Sequence, residues 1–379
     1  MIYLDNSATS KPNDEVLQSY EQVSKQFYAN PSSIHQLGAQ VEQLQTKARE
    51  QAAHLLNINP KEVIFTSGGT ESNNLAIKGI ALKHQQRGKH IITTSIEHAS
   101  VYETCKRLEQ LGFMVTYLPV DESGVINVGE LEKAITNETI LISVMHVNNE
   151  IGSIQPIEKI GEIAKQYPKL YFHVDAVQSI GKLPLKLSGS GIDLCTISGH
   201  KINGLNGTGM LFVKEGTSLF PLFQGGGQED QLRSGTENVA GNVAFVKALR
   251  LIMEKENNMG SHFTSLGSIL RKRMNEMKNV VINSPENGAD HILNISVPRL
   301  KPETVIHSLY EKGIIISTQS ACASKVSEKS RVLEACQLSY ERSISGLRIS
   351  MSYETTKEDI EQFCSIFKQT IEELFQIME

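Results

Sequence analysis

The sequence has no C-x-x-C pair, no phosphate-loop G-x-x-x-x-G-K-[ST], no dinucleotide-binding G-x-G-x-x-G and no H-E-x-x-H. ATP and NAD sites thus lose their usual support, as does a thiolate or paired-histidine zinc site. No apolar stretch reaches the ~18 residues of a membrane span, and the opening MIYLDNSATS lacks the basic start of a signal peptide. Basic residues are not in excess: 37 Lys and Arg stand against 42 Asp and Glu, a net charge of −5. That mild acidity argues against nucleic acid or an anionic membrane as a partner. Cys105, Cys195, Cys322, Cys336 and Cys364 are odd in number and scattered, which excludes a disulfide framework and suits a reducing cytoplasm. One reactive thiol among several buried ones is the expectation. In such a chain the sequons at Asn137 and Asn294 carry no weight.

Repeats and low-complexity linkers are also missing, while the 379 residues exceed the ~250–300 that one hydrophobic core serves, so two domains are expected. Between about 60 and 215, β-rich runs alternate with helical stretches. Residues 62–66, 90–94, 113–118, 139–147, 170–176, 194–198 and 210–213 read as strands, and 70–86, 99–111 and 157–166 as helices. Several strands are apolar on both faces, as in a covered parallel sheet, so this part is a large α/β layer. A long helix over 238–257 leads out of it. Beyond 258 the order changes to a helix, strands near 280–284 and 291–298, a helix, strands at 313–318 and 347–352, and a terminal helix from about 357. This reads as a smaller α+β domain.

Four segments carry chemistry. Lys201 ends an apolar run and precedes Gly204, Gly207 and Gly209, which let backbone approach whatever the lysine serves; alone, it also fits a lysine leaving the core for water. In FTSGGTESNN (65–74) a strand ends on two glycines before a helix, with Thr70 at the helix start. Free amides at a helix start make a phosphate cup, although an ordinary Thr70 cap gives the same pattern. Asp175 closes the apolar strand of FHVDAVQS (172–179), a costly place for a carboxylate without a cationic partner, unless it caps the next helix. A protonated pyridine nitrogen would be such a partner, and Gln178 follows in the same turn. His98 in IEHASV (96–101) stands after a strand end, where an imidazole either stacks on a flat ring or serves structure. Together, a phosphate cup, a carboxylate, a stacking imidazole and a strand-end lysine are what pyridoxal phosphate (PLP) requires.

The motifs YLDNSAT (3–9), NPSSIH (30–35), FTSGGTESNN, IEHASV, MHVNNEIG (145–152), HVDAVQS, SGHK (198–201), RSGTENV (233–239), SACAS (320–324) and LRIS (347–350) run through the whole chain. With them the sequence resembles cysteine desulfurases of the NifS/IscS type, in the aminotransferase class V group of fold-type I PLP enzymes. The resemblance implies an α/β fold with a large PLP-binding domain (16–257) whose mostly parallel central sheet is flanked by helices. Residues 1–15 and 258–379 would form a small α+β domain carrying the catalytic cysteine loop. It implies that Lys201 holds PLP as a Schiff base, that Asp175 partners the pyridine nitrogen, that Gln178 bonds the phenolic oxygen and that His98 stacks on the ring. Gly69, Thr70, Ser198 and His200 would hold the phosphate, with Thr236 reaching it from the other subunit of a homodimer. Asn149 would lie beside the cofactor, Asn30 and Arg348 would grip the substrate carboxylate, and Cys322 would accept sulfur as a persulfide.

The implied reaction converts L-cysteine to L-alanine and passes sulfane sulfur to an acceptor protein, an iron–sulfur scaffold or a tRNA-thiolation sulfurtransferase. A selenocysteine lyase or cysteine sulfinate desulfinase would use the same ring chemistry. A plain aminotransferase has no need of Cys322, and a non-catalytic sulfur carrier would have no need of Lys201 and Asp175. The sequence departs from the family pattern at Gly204-Leu205-Asn206-Gly207, at Asp230-Gln231, where relatives carry Arg-Gly, and in SKVSEKSRVL after Cys322. That last stretch is polar and buries little, so 323–330 is expected to be mobile.

Overall fold

The structure, a computed structural model, describes residues 1–318 and 329–378. Its strands are β1 (Ile2–Tyr3), β2 (Val63–Thr66), β3 (His90–Thr94), β4 (Met114–Leu118), β5 (Thr139–Met145), β6 (Tyr171–Asp175), β7 (Leu194–Ser198), β8 (Gly209–Val213), β9 (Val281–Ile282), β10 (Ile292–Ser296), β11 (Ile314–Ile315) and β12 (Gly346–Ser350).

β2 to β8 form one sheet in the order β2-β8-β7-β6-β5-β3-β4. All pairs are parallel except those of β8, which runs against both β2 and β7. Successive residues go to opposite apolar layers: Ile64, Ile91, Leu194 and Leu211 face one, while Phe65, Ile92, Cys195 and Phe212 face the other. Helices Gly69–His84 and Ala99–Gln110 cover the first side through Leu75, Ile80, Val101 and Leu108. Helix Val239–Asn258 contributes Phe245 and Leu249 to the second. Both faces being dry explains why these strands read as continuous apolar runs. The edge strand β4 is the most open, with Met114 exposed.

The sequence reading gave no helices before residue 60, yet Asp14–Gln26 and Gln36–Leu56 are helical. Their buried stripes are small or sparse (Val16 and Val23; Val41, Ala48, Ala52 and Leu56), so the 3.6-residue period is faint. Asn13 and His35 cap them by accepting from the Glu15 and Gly38 amides.

The remaining strands lie apart from the large sheet. β12, β10 and β9 form an antiparallel sheet, and β1 pairs in parallel with β11. Bridges from Asp5 to Ser350 and from Ser317 to Arg348 tie these two groups together, bringing the first residues of the chain beside its last strand. Asn294, one of the sequon asparagines named above, sits in β10 and is buried. Among the described residues, no helix is long and apolar enough to cross a membrane.

Candidate active site

The parallel strands β2, β3, β5, β6 and β7 all end on one side, where ligands bind in open α/β sheets. Their following turns line a cavity of about 500 Å³ that Ser7, Ala8, Thr9 and Arg348 close from the β1 and β12 side.

At one end of the cavity, helix Gly69–His84 begins directly after β2. Its N-cap is Gly68, which offers no side chain, so Thr70 is not the cap that the sequence allowed. The first-turn amides are therefore left for a ligand, and the positive end of the helix faces the cavity. Gly68 has φ 142°, and a Cβ on Gly209 of β8 would sit 2.6 Å from the Gly68 Cα; the turn closes only because both lack side chains. Ser198 and His200 line the same end, with 3.2 Å between Ser198 Oγ and His200 Nδ1. Burial, together with the charge of Lys201, pushes the His200 imidazole down to about 4.

Asp175 is buried at the end of β6. Its Oδ2 accepts from Asn73 Nδ2 at 2.7 Å and its Oδ1 from the Val177 amide at 3.0 Å. Among the described residues it makes no ion pair. Gln178 Nε2 donates to the Ser7 carbonyl at 3.0 Å, while its Oε1 is buried without a partner among the described residues, as are Arg348 Nε and Asn73 Oδ1. A buried carboxylate lacking a cation, beside orphaned polar atoms and an uncapped helix start, fits a flat, protonated heteroaromatic ring that carries a phosphate.

Lys201 follows β7 in a short 3-10 turn. Its Nζ donates to the carbonyls of Ser7 and, at 2.6 Å, of Ala8. Desolvation above all, then the nearby Arg348 and Lys182, lowers its ammonium from the ordinary 10.5 to about 7, against the opposing pull of Asp5 and Asp175. At neutral pH a large fraction of this lysine is therefore a free amine, the form that attacks a carbonyl.

His98 caps helix Ala99–Gln110 with its own ring, its Nδ1 accepting from the Ser100 amide at 3.2 Å. Burial pushes its imidazole down, with Lys201 and Arg331 acting the same way and Asp175 opposing. Arg348 projects from β12, fully buried, and donates to the Asn149 carbonyl (3.0 Å), Asp5 Oδ1 (2.9 Å) and Ser317 Oγ (2.8 Å). The cavity thus gathers Gly69, Thr70, His98, Asn149, Asp175, Gln178, Ser198, His200, Lys201 and Arg348.

Asn30 and Thr236 do not line it. Both are exposed, and Asn30 Oδ1 caps its own turn by accepting from Ser32. Cys322 lies outside the described residues, as do residues 323–328 of the stretch expected to be mobile. Ser330, at the end of that stretch, is fixed: it is buried and donates to Glu150 Oε2 at 2.6 Å. Asn206 and Gly207, within the first departure, are exposed at the rim of the cavity.

Sequence reasoning missed Asp5 and Ser317, which hold Arg348, and Asn73 and Ser100, which join Asp175 to His98. It also missed Arg331, which donates to the carbonyls of Ser95 (2.5 Å) and Glu97 and lies 3.9 Å over the Tyr102 ring. Asp5 and Asn73 do fall inside recognisable motifs, but nothing local marks Arg331.

Residues 2–363 match the aminotransferase class-V family. A cysteine desulfurase IscS of Dictyoglomus turgidum is 41% identical over 375 residues, covering 98% of this chain and 95% of the relative. A solved NifS-like protein superposes with a TM-score of 0.92 at 36% identity, covering 98% of this chain and 99% of that one. SspA, solved in complex with cysteine, gives 0.81 at 36% identity, covering 93% and 99%. The strand-end lysine, the cation-free aspartate and the uncapped helix start thus occur on a chain that belongs to the aminotransferase class-V family, among its NifS/IscS-type cysteine desulfurases.

Proposed function

We propose that this chain is a PLP-dependent cysteine desulfurase that converts L-cysteine to L-alanine and keeps the sulfur as a persulfide on Cys322. The observation that carries this reading is the convergence in one cavity of a strand-end lysine, a carboxylate that meets no cation among the described residues and an uncapped helix start. PLP, when bound, supplies an electron sink for the carbon that bears the amino group.

The chain's own residues do the rest. Lys201 is the covalent anchor, and its low pKa keeps the amine reactive. The Asp175 carboxylate would hold a proton on the ring nitrogen. Gln178 would bond the phenolic oxygen, Asn149 would lie beside the ring and His98 would stack on it, while Gly69, Thr70, Ser198 and His200 would hold the phosphate. Arg348, already aimed by Asp5 and Ser317, has an Nε that meets no partner among the described residues and would donate to the substrate carboxylate. The Cys322 thiolate attacks the cysteine sulfur; the C–S bond breaks, its electron pair stays with carbon, and a proton completes alanine. Cys105, Cys336 and Cys364 are buried, which pushes each thiol up to about 12, and burial raises Cys195 further still. None of these four forms a thiolate readily at neutral pH.

The same reading makes the protein a cytoplasmic homodimer in which Thr236, and Asn30 with it, serves away from its own cavity; the exposure of both supports this. It divides the chain into 16–257 and 1–15 with 258–379, supported by the pairing of β1 with β11. An iron–sulfur scaffold or a tRNA-thiolation sulfurtransferase is the acceptor class. Borohydride reduction of the PLP-loaded protein should mark the peptide containing Lys201, and Lys201→Ala should abolish formation of alanine from cysteine. Labelling of another lysine, or turnover in the variant, would overturn the reading.

A further inference from the structure

Asn73 and Ser100 link Asp175 to His98 through a short chain of hydrogen bonds. Asn73 Nδ2 donates to Asp175 Oδ2 at 2.7 Å and to Ser100 Oγ at 2.8 Å, and Ser100 Oγ lies 2.8 Å from His98 Nδ1. The backbone amide of Ser100 points at the same ring nitrogen from 3.2 Å. Asn73 is 1% exposed, Ser100 9% and Asp175 5%, so little of these groups is open to water.

The direction of each bond follows from what each group is able to give. A carboxylate only accepts, so Asn73 must turn its amide nitrogen to Asp175, and its Oδ1 accordingly has no partner among the described residues. The second N–H of that nitrogen goes to Ser100 Oγ. Ser100 then has its single O–H left to give, and the acceptor within reach is His98 Nδ1. The backbone amide adds a second donor there. With two donors aimed at it, Nδ1 keeps its lone pair, and the ring proton sits on Nε2. Among the described residues Nε2 has no hydrogen-bond partner, and His98 lines the cavity.

We propose that Asn73 and Ser100 are positioning residues that lock His98 as the neutral Nε2–H tautomer, so that His98 meets the reacting groups as a proton donor rather than as a base. Asp175 sets the polarity of the chain: its charge fixes Asn73, Asn73 fixes Ser100, and Ser100 fixes the imidazole. Of the charged groups facing the ring, Asp175 favours an imidazolium and Lys201 and Arg331 disfavour it, and burial, the largest influence, disfavours it too. The tautomer does not depend on a bound cofactor. Only the statement that Nε2 faces reacting groups rests on the proposed function.

The test reads the ring nitrogens directly. Protein labelled with 15N-histidine is examined with and without PLP, and the His98 signals are identified among the 11 histidines by their loss in His98→Gln. The expected result, in both forms, is Nδ1 at an unprotonated shift and Nε2 at a protonated one. Ser100→Ala removes the hydroxyl donor while keeping the amide, so the Nδ1–H tautomer should become populated or the ring should titrate at higher pH, and Ser100→Thr should restore the original state. Asn73→Asp, whose carboxylate accepts from Ser100 instead of donating to it, should act like Ser100→Ala. A wild-type ring protonated on Nδ1, or signals unchanged by both Ser100→Ala and Asn73→Asp, would overturn the proposal. If the cofactor reading alone failed, the wild-type tautomer in the PLP-free protein would still be the Nε2–H form.

Discussion

Residues Glu229, Asp230 and Gln231 follow one another in the left-handed region, at φ/ψ 47°/50° and 53°/36° for the first two and φ 61° for the third. A non-glycine residue there costs ~1–2 kcal/mol, so the run stores ~3–6 kcal/mol. Glu229 holds it down. Its buried carboxylate accepts from Arg49 Nη2 (2.6 Å), Arg49 Nη1 (3.0 Å), the Phe65 amide (2.8 Å) and Gln45 Nε2 (3.3 Å). Removing one partner of such a buried pair costs ~3–5 kcal/mol. Glu229→Ala should therefore lower stability by about that much. Gln231→Gly should relieve ~1–2 kcal/mol of strain and lose ~0.5–1 kcal/mol to the added freedom of the unfolded chain, a net gain of up to ~1.5 kcal/mol. If Glu229 is what enforces the left-handed run, the gain from Gln231→Gly should vanish in the Glu229→Ala background, where the segment is free to relax. Urea unfolding of the two single variants and the double variant at one protein concentration measures all three terms. The reasoning fails if Gln231→Gly is destabilising, or if its gain persists undiminished without Glu229.

The depressed Lys201 pKa predicts that the PLP-free protein captures added PLP about tenfold faster per pH unit up to about pH 7, followed by a plateau; a rise continuing to pH 10 would contradict it. Because the folded value lies below the ordinary 10.5, charged Lys201 opposes folding. Lys201→Met should be more stable than the wild type below pH 7, with the difference closing as pH approaches 10.5, as thermal unfolding across pH would show. Cys322→Ser should still bind cysteine through Lys201 and Arg348 yet release almost no sulfide, while serine at Cys105, Cys195, Cys336 or Cys364 should cost stability rather than turnover. Full activity of Cys322→Ser in a sulfide assay would remove the persulfide step.

The sequence by itself determined the large sheet and most of the cavity. Buried parallel strands are continuous apolar runs, and the residues after them, Gly69, His98, Asp175 and Lys201, stand out because a polar group at the end of such a run needs a reason. The helices at Asp14–Gln26 and Gln36–Leu56 were invisible because their buried stripes are built from few and small side chains that signal burial only against a partner helix. Other features belong to the tertiary structure alone. The ion pair from Asp5 to Arg348 spans 343 positions, the Asn73–Asp175 bond 102, and the Arg331 contact with Ser95 236. No local pattern encodes such distances. Asn73 is one more polar residue near a helix start until the fold sets β6 beside it, and Ser100 is one more first-turn serine until Asn73 takes its lone pair. Propensity and period are properties of neighbouring residues, whereas the proton on a histidine depends on which distant groups the sheet order brings within hydrogen-bonding reach.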